Sequence, residues 1–226
     1  MSDPILQEQI DYYRARAAEY DEWFNRQGRY DRGPQANQQW FSEVETVRAA
    51  LADFNPAGKV LELASGTGLW TTELLKYTSD ITCVDASPEM IAIHHAKLQN
   101  PNITYTQADL FAYQPDQQYD VVYFSFWLSH VPSVKLAPFL QMVRSALKPD
   151  GRIFILDSRK TPTSTAKDHV IPEDGSVLER KLNDGNTYKI VKVFYTPQML
   201  QTALGEANLH AKIQQTPEYF IYAVGK

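Results

Sequence analysis

The run Val60-Leu61-Glu62-Leu63 leads without a break into Ala64-Ser65-Gly66-Thr67-Gly68, and helix-compatible residues follow from Leu69 to Leu75. A buried strand, a tight turn with two glycines and a helix, in that order, form the opening unit of an α/β domain with a ligand at the turn. The same alternation then recurs. Apolar runs at 59–63, 81–85, 103–107, 121–125 and 152–157 are expected as strands, and the stretches 68–76, 88–98 and 136–147 between them as helices. Ser87 suits an N-cap, with Pro88 at the first helical position and Glu89 in the first turn. Strands and helices of these lengths imply parallel pairing through right-handed crossovers.

The flanks differ from this centre. Residues 1–55 hold an aromatic-rich helical segment and a second amphipathic one with Trp40, Val44, Val47 and Leu51 on one face. We expect them to form a helical lid, followed by a ligand-binding domain over 56–226. A hairpin insertion near 175–195 is expected from two strand-like runs around Asn183-Asp184-Gly185-Asn186. A helix and a closing strand pair, 211–215 and 219–224, complete the chain.

Composition removes several classes of function. A net charge of -5 argues against a binder of nucleic-acid backbones. The single cysteine, Cys83, lies in an apolar run and reads as a buried structural thiol. It allows neither an internal disulfide nor a multi-cysteine metal site. No stretch is apolar enough for a membrane span and "MSDPILQEQI" lacks a signal core, so a cytoplasmic protein is expected. His94 and His95 are adjacent on the second helix and are expected at a solvated surface rather than on a metal.

Three strand ends mark the ligand site. Ala64, Gly66 and Gly68 form the first turn. Asp85 ends the second strand, 23 residues after Glu62, where an acid can accept from both hydroxyls of a ribose. Asp109 ends the third strand and suits an adenine amine, while Leu110 and Met90 offer apolar contacts to the ring. A dinucleotide is disfavoured, because the glycines do not recur at the sixth position of the loop.

The elements "LELASGTG", "ITCVDASPEMI", "ITYTQADLFAY", "YDVVYFSFWLSHVP" and "LKPDGRIFILDS" occur in the order and spacing of class I S-adenosylmethionine-dependent methyltransferases. From about Ala17 onward the chain resembles that family, with Ala64 where a glycine is usual. The resemblance implies a Rossmann-like, seven-stranded, mostly parallel sheet with helices on both faces and an antiparallel last strand. It implies S-adenosyl-L-methionine as cofactor, with S-adenosyl-L-homocysteine as product. Glu62 would lie near the methionine portion, and Ala86 and Ser125 would complete the cofactor contacts. Tyr20 would cover the site and Arg16 would pair with the cofactor's carboxylate. Tyr12, Tyr13, Trp23, Phe24 and Trp127 would line the acceptor cavity. Asp157 and Arg159, at the end of the fifth strand, either face it as well or form a surface pair.

His130 is the candidate general base, although it can equally order its loop or hold the substrate. The fourth strand ends in "FSFWLSHVP", without the Asn/Asp-Pro-Pro-aromatic motif of nucleobase-amine methyltransferases and without an acid cluster for magnesium. The expected partner is therefore a small-molecule methyl acceptor, with no nucleic acid, no membrane and no metal. The protein is expected to be a monomer or homodimer. A SAM-fold protein without methyl transfer, or a protein or RNA methyltransferase, remains the alternative.

Overall fold

The computed structural model describes residues 4–171 and 175–226. Seven strands form one sheet: β1 (Lys59–Leu63), β2 (Asp80–Asp85), β3 (Ile103–Gln107), β4 (Tyr119–Ser125), β5 (Leu147–Ser158), and a closing pair introduced below. The spatial order β3-β2-β1-β4-β5 is parallel throughout. Strand order reverses between β1 and β4, and ligands of such sheets bind outside the carboxyl ends at that point.

Alternation along the strands sends side chains to two cores. Leu61, Leu63, Val122, Phe124, Ile153 and Ile155 face α6 (Ser133–Ala146) and α7 (Pro197–Glu206). Val60, Val121, Tyr123, Phe154 and Leu156 face α3 (Pro34–Phe54), whose Trp40, Val44, Val47 and Leu51 are all buried as their spacing predicts. The helices α4 (Thr71–Leu74) and α5 (Pro88–Leu98) lie on that same side through Leu74 and Leu98. Ser87 caps α5 through its Oγ, which accepts the Met90 N–H at 3.1 Å.

The pair β8 (Ala211–Gln215) and β9 (Phe220–Gly225) closes the sheet. Strand β9 is antiparallel to both β5 and β8, in register Ile155 to Ala223 and Ile213 to Ala223. The seven-stranded, Rossmann-like architecture with its antiparallel last strand is thus present. Two boundaries differ from the sequence expectation. Regular helix begins only at Thr71, because Ala64, Gly66 and Gly68 all have positive φ and hold the preceding residues in turns. Strand β5 starts at Leu147, its register against β4 shifting between Tyr119 and Val121.

The remaining elements sit over the switch point. Helix α1 (Pro4–Arg16) and the short α2 (Tyr20–Phe24) precede α3, and a separate hairpin, β6 (Val177–Lys181) and β7 (Thr187–Val191), follows β5. Gln9, Tyr12 and Arg16 form the buried face of α1. Tyr12 packs with Leu178, Leu182 and Ile190 of the hairpin segment in a third apolar cluster. Gln9 fastens the junction: its Nε2 donates to the His130 carbonyl at 3.1 Å and its Oε1 accepts the Val191 N–H at 3.0 Å. Among the described residues no helix is long and apolar enough to cross a membrane. Nor does any group of three or more His, Cys, Asp or Glu among them suit a metal ion.

Candidate active site

A cleft of about 780 Å³ opens at the carboxyl ends of β1, β2 and β4. Its lining, two strand-end carboxylates between apolar walls, suits a nucleoside. Its floor is made by Ala64, Gly66, Asp85, Ala86, Asp109 and Ser125. Met90, Leu110 and Trp127 supply apolar walls, and Leu6, Gln9, Ile10, Tyr13 and Tyr20 roof it from α1 and α2. The Asp85 carboxylate organises this end of the sheet. Its Oδ2 accepts the Gly66 N–H at 2.9 Å and its Oδ1 accepts the Ser87 N–H at 2.9 Å. Each oxygen keeps a lone pair for a ligand hydroxyl. Burial raises the pKa of Asp85, and the backbone N–H bonds oppose that rise. Asp109 Oδ1 accepts from the Phe111 N–H at 2.9 Å, which orients the carboxylate at the rim.

A second cavity, of about 600 Å³, lies beneath α1 and α2 and against the hairpin. Tyr13, Tyr20 and Phe126 line both cavities, so the two share a wall. Its other aromatic walls are Tyr12, Trp23, Tyr30 and Phe194. Arg16, Arg180 and Lys192 bring positive charge, and each is nine-tenths buried. Arg16 sits among rings, with its Cζ 4.8 Å from the Tyr20 centroid and 5.8 Å from that of Tyr30. Lys192 Nζ donates to Ser129 Oγ at 2.7 Å and Ser158 Oγ at 2.8 Å, with Asp157 Oδ1 at 3.6 Å. Burial lowers its pKa to about 8.

His130 lies in this second cavity, and both of its nitrogens are occupied. Nδ1 lies 2.7 Å from the Val191 carbonyl, which can only accept, so Nδ1 carries the proton. Nε2 then accepts from the Tyr13 hydroxyl at 2.8 Å. Burial, and secondarily the charge of Lys192, lower the His130 pKa well below its ordinary value. The ring is therefore neutral near pH 7 and resists taking a second proton.

The structure gathers many of the expected residues and relocates others. Ala64, Gly66, Asp85, Ala86, Met90, Asp109, Leu110 and Ser125 share the first cleft, and Tyr12, Tyr13, Trp23 and His130 share the second cavity. Arg16 lines the second cavity rather than the cleft, because its place on the Tyr12 face of α1 turns it inward. Trp127 lines the cleft rather than the second cavity, with its ring 5.5 Å from that of Phe111. Phe24 belongs to the core behind α3. Asp157 is buried and spent on the N–H groups of Ser129 and Ser158, so it anchors Lys192 instead of facing a ligand. Arg159 turns outward to the carbonyls of Thr216 and Pro217, one residue past the end of β5.

Gly68 lies under the turn, and His94 corrects the surface expectation: it is fully buried against that glycine and 4.9 Å from the Tyr105 ring. Met90 and His94, four apart, form the buried face of α5. Arg180, Lys192, Tyr30 and Phe126 were not anticipated. A signal for Arg180 existed in the alternation of its strand, which places it on the same face as Leu178.

Glu62 also lies below the cleft, where it accepts from the Thr71 hydroxyl at 2.6 Å and from the Cys83 thiol at 3.5 Å. Burial pushes its pKa up to about 7 from an ordinary 4.5. An acid raised in this way is held protonated in the fold and releases its proton on unfolding, so it favours the fold below about pH 4.5 and loses that advantage as pH rises through about 7. The stability of Glu62→Gln relative to the unsubstituted protein is expected to improve from pH 5 to pH 8 by on the order of 2 kcal/mol in urea unfolding. A constant difference across that range refutes the assignment.

Comparison with known proteins agrees with this geometry. Residues 60–151 match a family model described as "Methyltransferase domain". The ubiquinone/menaquinone biosynthesis C-methyltransferase UbiE of Pasteurella multocida is 28% identical over 180 residues, which are 73% of this chain and 65% of that protein. The Shewanella pealeana UbiE is 29% identical over 159 residues. The chain spans 61–65% of the length of these curated relatives. Among solved structures, the DhpI–SAM–HEP complex is 34% identical, with a TM-score of 0.80 over 100% of this chain and 99% of that one. The DhpI–SAH complex superposes equally closely, at 34% identity and a TM-score of 0.79 over 98% of its length. With the glycine turn, Asp85 and Asp109 converging on one cleft, the chain belongs to the class I S-adenosylmethionine-dependent methyltransferases.

Proposed function

We propose that the protein transfers a methyl group from S-adenosylmethionine to an oxygen or nitrogen of a small organic molecule. Residues 1–55 and the hairpin near 175–195 cap both ligands in this reading. One observation carries it. The cleft and the aromatic second cavity share Tyr13, Tyr20 and Phe126 in their linings, so a nucleoside in one and an acceptor in the other would lie side by side. The cofactor supplies an activated methyl on a sulfonium. The chain's own work is alignment and exclusion of water, which together account for much of the acceleration in such displacements. Asp85 and Asp109 hold the nucleoside end, while the aromatic walls dry the acceptor.

In this account His130 is a positioning residue: its Nε2 fixes the Tyr13 hydroxyl at the shared wall. His130→Asn is expected to lower kcat by no more than about tenfold, below the hundredfold or greater loss typical of a missing general base. S-adenosylhomocysteine affinity should be unchanged, and kcat/KM should show no acid limb attributable to this ring. A hundredfold loss together with the disappearance of such a limb would restore proton removal to His130.

The test of the whole reading is incubation with S-adenosylmethionine and a panel of small acids, phenols and amines, followed by mass and NMR detection. A product methylated on oxygen or nitrogen supports it. Methylation on carbon, the reaction named for the UbiE relatives, would replace it.

A further inference from the structure

We propose that the methyl acceptor is a small oxyacid whose anionic head is gripped by Arg16 and Arg180. The proposal rests on the methyl-transfer reading and names the substrate class of the second cavity. Among the described residues that cavity is lined by three cationic side chains and by no carboxylate. The chain has 27 acidic residues against 22 basic ones, yet none of the described acidic residues lines this wall. Lys192 is already satisfied by Ser129, Ser158 and Asp157. The two guanidiniums are not.

Arg16 is 8% exposed; among the described residues its one hydrogen bond is to the Tyr30 hydroxyl at 3.5 Å, and its Nε is buried without a partner. Arg180 is 7% exposed and, among the described residues, donates only to the Glu179 carbonyl, also at 3.5 Å. Among the described residues neither lies within 4.0 Å of a carboxylate. A guanidinium offers five N–H donors in a fixed fork, and buried charge without a counter-ion is strongly unfavourable. A small anion with several oxygens answers both deficits at once.

The electrostatics agree. Burial and the neighbouring charge of Arg16 weigh against the Arg180 cation, and an arriving anion relieves both. His130 and His169 add no competing charge, since burial lowers both and holds His169 at about 4. The aromatic walls keep the local dielectric low, which strengthens each ionic contact. Arg16 ends helix α1 and Arg180 belongs to β6, so one anion bridges cap and hairpin. Carboxylates, phosphonates, phosphates and sulfonates share this chemistry.

The test is calorimetric titration of the S-adenosylhomocysteine-loaded protein with acetate, methylphosphonate, inorganic phosphate and methanesulfonate. The expected result is saturable binding of at least one of these at millimolar concentration or tighter. Arg180→Gln and Arg16→Gln should each weaken it by about tenfold or more, with Arg180→Lys intermediate. The strongest of the four probes identifies the head group. S-adenosylhomocysteine affinity, measured on the same samples, should be retained in every variant and reports that each has folded. Normal cofactor binding with no response to any probe, or with probe binding insensitive to both arginines, overturns the proposal and leaves methyl transfer standing. Absence of cofactor binding in the unsubstituted protein instead overturns the methyl-transfer reading. If Arg16→Gln loses the cofactor and keeps the anion, Arg16 serves the cofactor's carboxylate and the two-arginine grip is refuted.

Discussion

Replacing Asp85 by alanine is expected to raise the dissociation constant for S-adenosylhomocysteine by about a hundredfold. The carboxylate ends β2 at the switch point, and its two oxygens accept backbone N–H groups from the glycine turn and from the start of α5. With the geometry fixed on that side, the remaining lone pairs are available at the cleft, where a bound ribose would present two adjacent hydroxyls. Hydrogen bonds to a charged acceptor are worth about 1.5–3 kcal/mol each, and two of them account for a hundredfold or more in affinity. Asp85→Asn should lose less, because its carbonyl oxygen keeps half of the accepting capacity. Calorimetry on the three proteins, with thermal melts of the ligand-free forms beside it, separates ligand contact from loop collapse. Affinity of the alanine variant within about threefold of the original would remove Asp85 from the site.

Gly68→Ala is expected to destabilise the protein by about 3–5 kcal/mol, near the upper end for single substitutions. Two independent costs combine. Gly68 has φ +81°, a conformation that costs an alanine roughly 1–2 kcal/mol. A Cβ there would also lie 2.6 Å from His94 Nε2 and closer still to Cδ2. The ring cannot swing away, since it is fully buried and edge-on to Tyr105. The second cost should be relieved by His94→Ala in the same chain, leaving the backbone strain and the loss of the imidazole's own packing. A double-mutant cycle by urea unfolding should therefore show clear non-additivity. Additive effects, or a single-substitution cost under about 1 kcal/mol, would mean that α5 does not press on the turn as described.

The sheet and cofactor cleft were legible because their determinants are local. Short continuous apolar runs, the N-cap at Ser87, and acids at strand ends each carry their meaning within about ten residues of chain. Even there, residue type misled where face decided. His94 reads as polar, but its spacing of four from Met90 puts it on the inner side of α5. Arg159 and Asp157 stand at the end of a long strand, and only the observed partners show the first turned outward and the second consumed by backbone N–H groups. The second cavity was less legible. Its charge comes from α1, β6 and the residue after β7, segments far apart in sequence that meet only through the cap. A basic residue at Arg180, alternating with Leu178 and Leu182 along an apolar face, was the available hint.

Helix α1 contributes Tyr13 to both cavities, while Gln9 ties it to the His130 carbonyl and the hairpin edge. On the proposed reading one segment would set the register of two ligands at once, since it lines both chambers. A direct transfer is then expected at steady state: both reactants aboard before chemistry, with no methylated form of the enzyme between them. Initial-velocity lines at varied concentrations of each reactant should intersect rather than run parallel.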